Sequence, residues 1–145
     1  MNLFILLWDL VWGWGIIRGK VGKMVMGKQV YITEEERRKC QKVVDAYAEL
    51  YEKEDIVVLD AGKYGFVKLQ YYKFNFGFYD NVIFTNSQEL FDDLWKEWFN
   101  MQLLILAKET TMTEIRYDDI FNCQSKEKQK EIMSKRHYFE EKCKS

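Results

Sequence analysis

Along residues 86–108 (NSQELFDDLWKEWFNMQLLILAK) apolar side chains return every three or four positions. Leu90, Phe91, Leu94, Trp95, Trp98, Met101 and Ile105 therefore fall on one side of an α-helix. Asn86 or Ser87 can accept from the first free backbone amides, and Glu89 can return a bond in a capping box. Glu89, Asp92 and Asp93 place negative charge at the positive end of the helix dipole. From Leu103 to Ala107 the run is apolar all round, which predicts burial on several sides. This helix reads as the spine of the core.

The rest of the chain predicts elements that pack around it. Met24–Ile32 alternates in part and ends in β-formers, so it reads as a strand. Thr33 and Glu36 form a capping box, and Cys40, Val43, Val44, Tyr47, Leu50 and Tyr51 make the apolar stripe of a helix running to Lys53. Ile56–Leu59 is a short buried strand, Ala61-Gly62-Lys63 a tight turn, and Phe66–Phe74 and Tyr79–Thr85 complete a meander. Period-two sorting gives the middle strand a core face of Val67, Leu69 and Tyr71. Its other face, with Phe66, Lys68, Gln70, Tyr72 and Phe74, mixes rings with polar groups as a partly exposed face does. Thr110–Tyr117 reads as a further strand. Ser125 caps a last helix, Lys126–Cys143, in which only Ile132, Met133, Phe139 and Cys143 can bury, so it packs lightly. The fold class is α+β: a small, mostly antiparallel sheet of three to five strands carrying two main helices, with a ferredoxin-like variant as the specific expectation.

Residues 1–23 stand apart from a single domain over 24–145. Asn2–Ile17 (NLFILLWDLVWGWGII) holds one charge, Asp9, and is followed by Arg18, Lys20, Lys23 and Lys28. It falls short of the ~20 apolar residues of a spanning helix and lacks the basic start and cleavage site of a secretory signal. Trp8, Trp12 and Trp14 ahead of cations suit contact with a bilayer interface. Packing in the core, or a dispensable extension upstream of a start at Met24 or Met26, are the other readings.

Composition narrows the function. Of 145 residues 31% are charged, yet the net charge is -1, so no bulk field attracts nucleic acid or acidic substrates. Aromatics reach 17%, enough to supply much of a core, and proline is absent. Cys40, Cys123 and Cys143 are widely spaced without a CxxC pair, as thiols of a reducing cytosol are. With His137 the only histidine, no metal-ligand spacing emerges, and no metal or cofactor is expected.

Nucleophilic catalysis needs a base beside an activated side chain, and His137 sits among Lys135, Arg136 and Tyr138 on a polar helix. Asp92-Asp93 and Asp118-Asp119 read as caps or turns, since adjacent helical residues do not share a face. Gly62–Gly65 lacks the spacing of a phosphate-binding loop. Residues 62–69 (GKYGFVKL) carry Tyr64, Gly65, Phe66 and Val67 in an order that resembles the RNP1 strand of RRM domains. The leading basic residue and glycine are displaced, and Leu69 stands where an aromatic belongs. The resemblance implies stacking of single-stranded RNA on Tyr31, Tyr64 and Phe66. Catalytic residues are absent while Tyr, Trp and Phe abound, which favours a non-enzymatic, cytoplasmic binding protein of the inhibitor or immunity type. Its contacts are placed on Phe66, Lys68, Tyr72 and Phe74, toward a protein partner or a second copy. Membrane association through Asn2–Ile17 and RNA binding rank behind it.

Overall fold

The computed structural model describes residues 30–51, 55–72, 77–109 and 119–145, and the strongest periodic stretches within them are helices. Helix α1 spans Glu34–Leu50: Thr33 Oγ1 accepts from Glu36 N at 3.2 Å, and three glutamates occupy the first turn. Cys40, Val43, Ala46 and Tyr47 turn inward along it. Helix α2 spans Ser87–Glu109, with Asn86 Oδ1 accepting from Gln88 N and Glu89 N at 2.9 and 3.1 Å. The carboxylate that closes this turn comes from α1, because Glu36 accepts from both the backbone and the hydroxyl of Ser87. Helix α3 spans Lys126–Lys144, starts at the Ser125 cap, and buries only Ile132 and Phe139.

Strands β1 (Ile56–Asp60), β2 (Phe66–Tyr72) and β3 (Gly77–Phe84) pair antiparallel in the order β1-β2-β3. A short 3₁₀ turn, Gly62–Tyr64, joins the first two. Gly62 and Gly65 supply its positive φ angles of 65° and 106°, and Asp60 Oδ1 accepts from Gly62 N at 2.8 Å. The register sets Leu59, Val67 and Ile83 in one row and Val58, Lys68 and Val82 in the next. With three helices and a three-stranded antiparallel sheet among the described residues, this is a small α+β fold. The strand that a ferredoxin-like arrangement puts before α1 falls on Met24–Gln29, outside the described residues; Val30–Ile32 are described and lie in no strand. Asn2–Ile17, Phe74 and Thr110–Tyr117 also lie outside them.

The core is aromatic where the helices meet. Phe91 of α2 stacks on Phe139 of α3 with centroids 4.3 Å apart, and Tyr47 of α1 stacks on Tyr51, its C-cap residue, at 5.2 Å beside them. On α2 the C-terminal half is not enclosed on all sides. Leu103 and Leu106 are buried, but Leu104, Ile105 and Ala107 are exposed. The buried line swings past Trp98 toward the side where Phe99 meets Phe121 edge-on, so composition there overstated the enclosure.

Candidate functional site

Alternation along β2 is present, but its two faces are the reverse of those expected. Phe66 is buried at 1% exposure and Lys68 at 3%, whereas Val67 and Leu69 are only half-buried. Phe66 and Phe84 join the helices in the core, with Ile56 and Val58 of β1 packed against it. The opposite face brings together Leu59, Val67 and Ile83 in one row and Val57, Leu69 and Asn81 in the next. Leu59 is 49% exposed and Ile83 62%. Phe66 and Lys68 are thus not the surface contacts that the mixed character of their face implied.

Buried Lys68 is fully partnered. Its ammonium lies 2.5 Å from Asp93 and 2.7 Å from Glu97, two carboxylates one turn apart on α2. Glu97 holds the aligned hydrogen bond, while Asp93 Oδ2 pairs by charge without hydrogen-bond geometry. Burial is the largest single influence on Lys68 and pulls its pKa down, but the two carboxylates together outweigh it and hold the pKa above its ordinary value. On α1 the Tyr47 hydroxyl is buried without a partner, and Tyr51 donates to Asp55 at 2.6 Å. Its place near the start of α2 predicts a cap or dipole role for Asp93, and the structure instead sets it against Lys68. Its signal as a partner was the i,i+4 spacing with Glu97 beside an apolar stripe.

At the β1–β2 end of the sheet, Ile32 N donates to Lys63 O at 3.0 Å and draws Tyr31 to Tyr64. The two rings meet edge-on at 6.0 Å, and Lys63 Nζ lies 5.0 and 5.2 Å from their centroids. Both rings are about half exposed. The structure therefore groups Tyr31 with Tyr64 but separates Phe66 from them, and a buried Phe66 offers no base a face on which to stack. Tyr72 ends β2, paired with Gly77.

Between the helices an open cleft of about 290 Å³ is lined by Lys39, Val43, Ser87, Phe91, Glu140 and Cys143, among others. Its charges have partners: Lys39 pairs with Glu35 and Glu36, and Glu140 with Arg136. Burial pushes the Cys143 thiol up to about 11. His137 is exposed on α3. Among the described residues no three His, Cys, Asp or Glu side chains gather as a metal site, and no helix is long and apolar enough to cross a membrane.

The features that distinguish this surface are therefore an aliphatic sheet face turned away from the helices and an aromatic pair bracketing Lys63 at one end. Comparison of the chain with protein-family models, curated proteins and solved structures returns no match.

Proposed function

We propose that the chain is a non-enzymatic binding protein, of the inhibitor or immunity type, whose contact surface is the outer face of the sheet. One observation carries this reading. The side chains β2 offers on its outer face, Val67 and Leu69, are more apolar than the Lys68 and Gln70 it turns toward the helices, and Leu59 and Ile83 flank Val67 in register. Single exposed aliphatics are ordinary, but a contiguous uncharged row marks a surface that is covered in use.

A protein partner fits this face better than a second copy. Three strands about 4.8 Å apart, over a paired length of five residues at about 3.3 Å each, span roughly 15 Å in each direction. That footprint of about 200 Å² is well under the roughly 800 Å² per partner of a stable interface. A symmetric sheet-on-sheet dimer confined to this face would be weak. A larger partner can seat one apolar element on it and extend beyond its rim.

Affinity capture from the native host, run with the natural chain beside Leu59→Asp and Ile83→Asp, tests the proposal. Support is a stoichiometric protein that the natural chain retains and both variants lose while their thermal transitions stay unchanged. A partner kept equally by the variants, or none retained by the natural chain, overturns it.

A further inference from the structure

A strand with an aliphatic face (Val67, Leu69) and a face that mixes rings with polar groups (Phe66, Lys68, Gln70) does not by hydrophobicity alone specify burial of the second. Side chains alternate with period two, so turning the sheet over exchanges Phe66, Lys68 and Gln70 wholesale for Val67 and Leu69. Transfer free energy alone favours the inverted arrangement at Lys68, because an ammonium is costly to desolvate and Leu69 is not. We infer that the Lys68–Asp93–Glu97 cluster is a packing lock that fixes which face of the sheet the helices cover, and so keeps the aliphatic face outward.

The geometry explains how the lock discriminates. Val58 and Val82 flank Lys68 directly in register, so the residues opposite it on both adjacent strands are aliphatic. Its counter-charges both come from α2, at 2.5 and 2.7 Å. From α1 the nearby polar groups are the unpartnered Tyr47 hydroxyl and Tyr51, itself bonded to Asp55. Were the sheet inverted, Lys68 would be solvated at no cost. Asp93 and Glu97 would instead face Val67 and Leu69, with the Lys68 ammonium withdrawn to the opposite face. The penalty falls on the two carboxylates, and it falls only on the wrong packing. Buried ion clusters of this kind add little net stability and can specify one arrangement among several. The lock stands on packing alone and holds whatever covers the outer face.

The test is the triple variant Lys68→Leu/Asp93→Leu/Glu97→Leu in the full chain, read by hydroxyl-radical footprinting with mass spectrometry. In the natural chain, exposed Leu59 and Ile83 are expected to be oxidised and buried Phe66 and Phe84 to be protected. The triple variant is expected to fold with an equal or higher melting temperature, to narrow that protection ratio at least threefold, and to double the amide resonances of β2. Lys68→Leu alone, which leaves both carboxylates without their cation, is expected to melt lower. A folded triple variant with the natural footprint and single resonances overturns the lock. An unfolded triple variant overturns it as well, since the cluster would then be supplying stability rather than choosing a face.

Discussion

The carboxylate of Glu36, in the first turn of α1, caps α2: Ser87 N and Ser87 Oγ both donate to Glu36 Oε2 at 2.8 Å. One acid thereby joins two helix N-termini, with Lys39 holding its other oxygen. The bond from the Ser87 backbone, then that from its hydroxyl, pulls the Glu36 pKa below its usual value; burial opposes this and Lys39 assists. A lowered folded pKa means stability that is present above the ordinary value of 4.5 and is lost as pH falls through the folded one. Glu36→Ala is expected to cost about 1 kcal/mol, as loss of a helix cap does. Urea unfolding at pH 7 and along a series below 4.5 checks it: the natural chain should lose stability on acidification more steeply than the variant.

Tyr47 is the opposite case, a polar group whose removal should help. Its ring stacks on Tyr51 and touches Phe139, but its hydroxyl is buried with no hydrogen-bond partner. Tyr47→Phe keeps the ring and discards the unsatisfied donor, so stability should hold or rise by up to about 1 kcal/mol. The pH dependence carries a second signature. Burial raises the pKa of Tyr47 and, together with the Asp55 bond, that of Tyr51; the carboxylates around Lys68 raise that group too. For each, the folded state keeps its proton where the unfolded state has lost it, so stability falls as pH rises past about 10. Denaturant titrations between pH 8 and 11 should show a shallower decline for Tyr47→Phe than for the natural chain. An equal slope would place the alkaline sensitivity elsewhere.

The helices were legible because their signals are local. Thr33 and Asn86 cap within three residues, and the stripes through Val43–Tyr47 and Leu90–Trp98 follow the helical period. The α+β class followed from them and from the turn glycines. The faces of β2 were not legible, since the residue that decides them, Lys68, finds Glu97 29 positions away. A lysine alternating with aromatics reads as surface until a carboxylate pair on another element is known to meet it. The same limit separates the RNP1-like pattern from its chemistry: Tyr64 stays outside near Tyr31, but Phe66 faces the helices.

The three thiols should react in an order set by burial. Cys123 is exposed, Cys143 half-buried and Cys40 fully buried. Burial pushes both Cys40 and Cys143 up to about 11, with Glu36 and Glu140 respectively adding to it, so little thiolate exists at neutral pH. Iodoacetamide at pH 8 should alkylate Cys123 first and Cys143 more slowly. Cys40 should react only at the rate of global opening. Peptide mass mapping over time reads the order, and prompt labelling of Cys40 would contradict its placement.

Gly65 and Gly62 share a turn but differ in what they tolerate, which makes them a matched pair. Both have positive φ, where a side chain is strained. At Gly62 an added Cβ meets nothing within 4 Å, so Gly62→Ala should cost only that strain, about 1–2 kcal/mol. At Gly65 the Cβ would sit 2.2 Å from the backbone oxygen of Phe84, which cannot retreat without breaking the β2–β3 pairing that begins at Phe66 and Phe84. Gly65→Ala should therefore lose clearly more than Gly62→Ala and also loosen β3. Thermal unfolding of both variants, with amide exchange at Ile83 and Phe84 as the local readout, separates the two contributions. Equal melting temperatures would mean that the close approach of Phe84 to Gly65 is not part of the native turn.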